Sequence, residues 1–202
     1  VIITAGLARK PGMSREELKE KNALIIGKIA LEVSKNSPNA IIINVTNPVD
    51  ILTYHALMKS GFDKTKVMGQ AGVLDSARFS TFISMESGAS KRDIRPLVLG
   101  GHGDTMVPAP ELTTINGIPV NAFIEKDRIN EIGKRTAKGG GEIVSLLKTG
   151  SAYYAPAAAT AVMAEAILRD QKRVLPISCY LDGEYGHKGL CIGVPALLGR
   201  NG

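Results

Sequence analysis

The sequence predicts an α/β chain: the remaining part of a Rossmann-type parallel-sheet domain, followed by an α+β domain. Three observations lead there. Short apolar runs alternate with helix-length segments over residues 1–72. One of those runs, Ala40 to Val45, is rich in isoleucine and bounded by turn residues, which is how a strand buried on both faces reads. Beyond about residue 72 the pattern changes to paired strands around tight turns, interleaved with helices.

Each element follows from its local pattern. Val1 to Ala5 reads as a buried strand, and Gly6 to Ser14 as a polar loop containing Pro11 and Gly12. A helix is expected from Arg15 to Lys35, with Leu18, Ile25, Ile26, Ile29 and Val33 at helical spacing. Asn22 falls on that same apolar stripe and needs a partner. A helix-to-loop hydrogen bond and a cofactor contact would satisfy it equally well. Pro38 and Asn39 end the helix, Ala40 to Val45 forms the next strand, and Thr46-Asn47-Pro48 turns into a helix over Val49 to Lys59 with proline at its start. Val67 to Gly69 is a brief strand and Val73 to Glu86 a helix. This β-α-β-α-β order requires right-handed crossovers in a parallel sheet. Ligands of such sheets sit at the carboxyl ends of the strands, where Gly6 and Thr46-Asn47 fall.

In the second half, Ile94 to Leu99 is expected to be one strand. Leu112 to Ile115 and Ile118 to Val120 flank an Asn116-Gly117 turn and read as a hairpin. Helices are expected at Lys126–Ala137, Gly139–Leu147 and Pro156–Asp170, the last alanine-rich and suited to close packing. Val174–Leu181 and Gly189–Val194 should pair antiparallel around the Asp182–Lys188 turn. The boundary between a dinucleotide-binding part (1–72) and a catalytic part (73–202) is placed near residue 72. Because the chain opens without methionine inside a strand and stops just after another, further material is expected at both ends.

Composition narrows the function. The 202 residues are 44% apolar, enough for one good core or two small ones. No apolar run is long enough to cross a membrane, and the first residues lack a secretory-signal pattern. The net charge of +6 invites a nucleic-acid reading. The cations, however, fall in separate segments with acids between several of them, and four phenylalanines, five tyrosines and no tryptophan offer no stacking platform. Solvated surface explains them better. Cys179 and Cys191 lie in alternating apolar stretches and read as two buried thiols rather than a disulfide, which implies a reducing compartment and a cytoplasmic setting.

The residues that carry chemistry are few. Asp75 and Arg78, three apart on a helix, leave from one face. They could form an exposed ion pair of little worth. Alternatively, Asp75 accepts a hydrogen bond from a ring nitrogen of His102 while Arg78 grips a carboxylate through two parallel bonds. His102 stands between glycines just after an apolar strand, so a substrate can approach the ring closely. His55 and His187 have no such setting. No histidine or cysteine pair has metal-ligand spacing, so no metal is expected. A Ser76-His102-Asp75 hydrolase is disfavoured: Ser76 lacks a nucleophile elbow, and neighbours on a helix point about 100° apart.

The stretches I-T-A-G-L-A-R-K-P-G-M-S-R (3–15), V-T-N-P (45–48), L-D-S-A-R (74–78), G-G-H-G-D (100–104) and K-T-G-S-A-Y-Y-A-P-A-A (148–158) resemble the NAD-dependent malate dehydrogenases. The match is to the bacterial group related to lactate dehydrogenases, and the similarity runs across essentially the whole chain. The resemblance implies hydride transfer between (S)-malate and oxaloacetate with NAD. His102 would be the acid–base and Asp75 its partner. Arg78 would bind the carboxylate next to the reacting carbon, Arg9 the distal carboxylate, and Arg15 would polarise the carbonyl oxygen. Asn47 would touch substrate and cofactor, while Asn22, Val45 and Thr46 would line the cofactor site. A homodimer or homotetramer is implied as well. The family's glycine-rich phosphate loop is missing: no G-x-G-x-x-G occurs in these residues. The chain alone is therefore expected to be inactive. A related lactate-type 2-hydroxyacid dehydrogenase and a non-catalytic remnant of the same fold are the alternatives.

Overall fold

The computed structural model describes residues 1–7, 15–148 and 151–202, with Arg15 entering only as a backbone position. The first part alternates as β1 (Ile2–Ile3), α1 (Arg15–Asn36), β2 (Ile42–Asn44), α2 (Val49–Ser60), β3 (Val67–Gly69) and α3 (Gly72–Ser87). The three strands run parallel, with Ile2 beside Ile43 and Ile42 beside Val67. β2 is buried at every position because helices cover both faces. On one side Ile42 packs with Ile26 and Ala30 of α1 and Leu52 and Ala56 of α2. On the other, Ile43 meets Met68, Met163 and Ile177. Each such isoleucine contributes about 1.5–3 kcal/mol by leaving water.

The helix ends follow from their sequences. α1 carries Glu16 and Glu17 in its first turn and Lys35 in its last, the charge order that the helix dipole favours. α2 stops at Gly61, whose φ of 66° lets its N–H reach back to the Leu57 carbonyl. β1 is shorter than the expected Val1–Ala5 strand. Past Ile3 the chain leaves the ladder, and the Ala5 carbonyl instead accepts from the Thr46 hydroxyl at 2.8 Å.

The second part adds β4 (Ile94–Arg95), β5 (Val98–Gly100), β6 (Met106–Pro108), β7 (Thr114–Ile115), β8 (Ile118–Pro119), α4 (Lys126–Leu147), α5 (Tyr154–Leu168), β9 (Arg173–Asp182) and β10 (Lys188–Leu198). The single strand expected over Ile94–Leu99 is two. Pro96 has no N–H to give the ladder, so Ile94 pairs with Ile115 in a small sheet of β4, β7 and β8, while β5 enters the large one. The expected hairpin forms there, with Asn116 at φ 48° and Gly117 at φ 84°, the left-handed pair that a two-residue turn needs. The two helices expected over Lys126–Ala137 and Gly139–Leu147 are the single helix α4, which runs through its glycines. α5 begins at Tyr154, two residues before Pro156, because a first-turn proline forfeits only an N–H that would have no helical partner. β6 was not expected.

The β9–β10 hairpin is antiparallel, as expected, and it lies inside the large sheet rather than beside it. The order among the described residues is β1-β2-β3-β9-β10-β5-β6, with Gly69 of β3 opposite Ser178 of β9 and Gly193 of β10 opposite Gly100 of β5. The sheet therefore continues across residue 72. A further core joins α3 to α4 through Phe79, Ile83, Ile129 and Ile132, closed by Val98 and Val120. The carboxyl ends of β2, β3 and β5 thus lie in one continuous sheet, framed by α2, α3 and α4.

Candidate active site

α3 starts directly after β3, which puts Asp75 in its first turn and buries the carboxyl to 2% exposure. The loop after β5 brings His102 to it, and the two meet with His102 Nδ1 at 2.9 Å from Asp75 Oδ2. An N–H at Nδ1 donates to the carboxylate, so the other ring nitrogen, Nε2, is the one left to exchange a proton. The loop reaches this position through Gly100 at φ 82° and Gly103 at φ 104°, conformations that any side chain would resist. Ser76, next to Asp75, is turned away. Its hydroxyl oxygen accepts from the Val98 amide at 3.0 Å, tying α3 to β5.

Arg78 lies one helical turn beyond Asp75, with its side chain only 12% exposed. Nη1 reaches Asp75 Oδ1 at 3.4 Å, a long contact, and Nε is buried with no partner. Burial pushes the guanidinium below its ordinary pKa, and the Asp75 charge opposes that shift. α4 lies close by. A Cβ on Gly139 would stand 3.2 Å from Arg78 Cδ, and one on Gly140 3.4 Å from Nη2. The glycines in α4 thus make room for a buried cation that has spare donors.

The other expected residues divide. The Asn22 carboxamide accepts from the Leu7 amide at 2.7 Å and donates to the Asn47 carbonyl at 3.0 Å and the Leu7 carbonyl at 3.3 Å. This is the helix-to-loop alternative: both of its donors are spent on backbone, in a residue only 1% exposed. The Thr46 hydroxyl is committed to the Ala5 carbonyl, and the Val45 amide to the Ile3 carbonyl at 2.9 Å. Asn47 is exposed at the head of α2. Arg9 and the side chain of Arg15 lie outside the described residues. Among the described residues no group of His, Cys, Asp and Glu is placed to hold a metal, and no helix is long and apolar enough to cross a membrane.

Three residues escaped sequence reasoning. Asp50, in the first turn of α2, accepts from the His102 amide at 2.9 Å and from the Ser178 hydroxyl at 2.6 Å. An acid in a helix's first turn ordinarily signals only dipole compensation, so nothing local marked it. Ser178, fully buried, sits on a strand expected for its apolar pattern alone. Gln70, just past β3, is 2% exposed and its Nε2 has no partner. That is an unmet donor at the carboxyl edge of the parallel strands. The signal for Gln70 was its place directly after a buried strand.

The cysteines are free. Cys191 lies opposite Tyr180 and Cys179 opposite Ile192. Cross-strand partners share a face and successive residues alternate, so the two thiols point to opposite sides of the sheet. Many of the scattered cations sit in exposed pairs such as Lys21–Glu17 and Lys64–Glu184, each worth little.

A parallel sheet with helices on both faces, a histidine held by a buried carboxylate and a half-satisfied arginine beside them define a dinucleotide-fold protein. A family model described as the NAD binding domain of lactate/malate dehydrogenase matches residues 1–69, and one for the alpha/beta C-terminal domain of the same enzymes matches residues 72–202. The chain belongs to the lactate/malate dehydrogenase family. It is 60% identical over all 202 residues to a malate dehydrogenase of Roseiflexus sp. (strain RS-1) and 56% identical to one of Methanosarcina mazei, spanning 65% and 66% of their lengths. The structure of the Picrophilus torridus malate dehydrogenase in its apo form matches the whole chain with a TM-score of 0.96 at 46% identity, over 64% of that protein. The Cryptosporidium parvum lactate dehydrogenase complexed with lactic acid and nicotinamide adenine dinucleotide matches it with a TM-score of 0.94 at 44% identity, over 65% of that protein. The chain therefore spans a little under two thirds of such relatives.

Proposed function

We propose that the protein containing this chain interconverts (S)-malate and oxaloacetate with NAD, using residues 1–72 as part of its dinucleotide-binding domain and 73–202 as its catalytic domain. The observation that carries this reading is the buried Arg78 with an unpartnered Nε, one helical turn from the carboxylate that orients His102. Asp75 meets this cation only through a long contact at Nη1, and the buried Nε donor stays costly until a further acceptor reaches it.

The chain also fits the cofactor. The unmet Gln70 amide lies just past β3, and Gly6 follows β1 where a Cβ would stand 2.5 Å from Thr46 Cγ2. NAD, when bound, supplies the hydride acceptor. His102 Nε2 takes the hydroxyl proton of malate as the carbon–hydrogen bond breaks, and Asp75 stabilises the resulting imidazolium through Nδ1–H. Arg78 holds the carboxylate beside the reacting carbon. Arg9 takes the distal carboxylate, and Arg15 polarises the carbonyl oxygen of oxaloacetate in the reverse direction. Asn47 faces substrate and cofactor. Asn22 acts at one remove by holding the Leu7 and Asn47 backbone, with Val45 and Thr46 shaping the same edge.

The lactate-type alternative is supported by the likeness to a lactate dehydrogenase noted above, and Arg9 is the residue that separates the two readings. The proposal extends to a homodimer or homotetramer in the cytoplasm with no nucleic-acid or membrane partner. Sedimentation of the full-length protein measures the first. The central test is oxidation of NADH by oxaloacetate, followed by absorbance in the full-length protein. His102→Asn should lower turnover by roughly 10²–10⁴-fold; near-normal turnover in that variant would remove His102 from its role.

A further inference from the structure

We propose that Asp50 is a positioning residue for the proton-transferring histidine: its carboxylate holds the His102 backbone amide and so aims the imidazole, and Ser178 holds the carboxylate. This rests on the acid–base reading of His102 given above. His102 is held at two points by two different helices, its ring by Asp75 of α3 at 2.9 Å and its main chain by Asp50 of α2 at 2.9 Å. The ring bond alone leaves the backbone free to shift. That freedom is large here because Gly101 and Gly103 flank the histidine, and glycine loses the most conformational entropy when ordered. A bond from an amide to a carboxylate is charge-assisted and stronger than one to a neutral acceptor.

Both oxygens of Asp50 are bonded outside its own helix, Oδ2 to the His102 amide and Oδ1 to the Ser178 hydroxyl at 2.6 Å. A carboxylate serving only its own helix dipole would have no reason to be so directed. The loop is also shaped for the contact. A Cβ on Gly101 would stand 3.5 Å from Asp50 Oδ2 and collide with the Thr105 hydroxyl, so the close approach favours glycine. Ser178 lies opposite Gly69 of β3 and is fully buried, which anchors the carboxylate to the rigid middle of the sheet. Asp50 follows Asn47 by three residues. The residue proposed to face substrate and cofactor and the residue that moves the proton are therefore referenced to one helix start.

The test uses the full-length protein. Asp50→Ala removes both bonds, whereas the amide of Asp50→Asn can still accept from His102 N–H and donate to the Ser178 hydroxyl. Turnover is expressed per NADH-binding site, counted by fluorescence titration, so that a loss of folded molecules leaves the value unchanged. Misaiming the histidine should cost Asp50→Ala about tenfold or more per site, and Asp50→Asn should recover all but about threefold. Carbethoxylation of His102 by diethyl pyrocarbonate, mapped by mass spectrometry, should be several-fold faster in Asp50→Ala and return toward the wild-type rate in Asp50→Asn. Wild-type behaviour of Asp50→Ala in both measurements overturns the proposal, as does an Asp50→Asn variant as impaired as Asp50→Ala. Should Asp50→Ala not fold, Ser178→Ala replaces it, and an unchanged rate per site and unchanged labelling in that variant overturn the proposal equally. A wild-type protein inert toward oxaloacetate would sink the malate reading, and the mapped labelling would still decide the role of Asp50.

Discussion

Arg78 makes a 3.4 Å contact to Asp75 and leaves Nε unpaired in a side chain that is almost entirely covered. A buried donor left without an acceptor costs about 1–3 kcal/mol, and in the proposed reaction a bound carboxylate would relieve that cost. The same logic assigns selectivity to Arg9 in the proposed reaction. A guanidinium facing the methyl group of pyruvate in a closed, dry pocket would be an unpaired charge, so the smaller acid is rejected by cost rather than by shape. Arg9→Gln should shift the ratio of kcat/KM values from oxaloacetate toward pyruvate, and an unchanged ratio would count against the assignment. The contact between His102 and Asp75 was legible in the sequence because a histidine between glycines and a carboxylate on a helix face stand in short, recognisable runs. Asn22 was legible only as a buried polar side chain. Which partner it took depended on where Leu7 and Asn47 came to lie.

Helices α3 and α4 meet around Arg78, and the glycines of α4 decide how closely. Each glycine within a helix costs about 1 kcal/mol relative to alanine, and the sequence suggested two helices here, parted at residue 138. The helix runs through because its apolar face, including Ile129 and Ile132, is buried against Phe79 and Ile83. Gly139→Ala should therefore leave thermal stability equal or higher, since it improves helix propensity. Its Cβ would stand 3.2 Å from Arg78 Cδ and press on it, and KM for oxaloacetate should rise several-fold. Steady-state kinetics beside a melting curve check this, and an unchanged KM would show that Arg78 tolerates the shift. At Ile94–Leu99 the apolar run suggested one strand, while Pro96 split it between two sheets. Hydropathy registers burial but not which ladder a backbone joins.

Across the molecule, one sheet binds both parts of the chain, because the β9–β10 hairpin lies between β3 and β5. The same arrangement separates the thiols. Burial pushes Cys179 and Cys191 up to about 12, and they face opposite sides of the sheet. In native protein near pH 8, about half a unit below the ordinary thiol pKa, both should alkylate with iodoacetamide far more slowly than in the unfolded chain. Rapid labelling of either, mapped by mass, would contradict the burial. The burial of the thiols was legible in their apolar surroundings, but the strand order was not: it is set by contacts between residues more than a hundred positions apart, such as Gly69 with Ser178.

What the sequence determined by itself was local and chemical. Its apolar periodicities specified the parallel β-α-β-α-β series, its Asn-Gly pair a hairpin, and its rare side chains the histidine, carboxylate and arginine that the structure brings together. Those signals act within a few residues, where backbone sterics and side-chain chemistry suffice. Only the tertiary structure decided that the late hairpin would extend the early sheet, that α4 would stay whole, and that Asp50 would reach across to the histidine loop. Each of these depends on the surfaces of distant segments fitting together, and no window of sequence contains that fit.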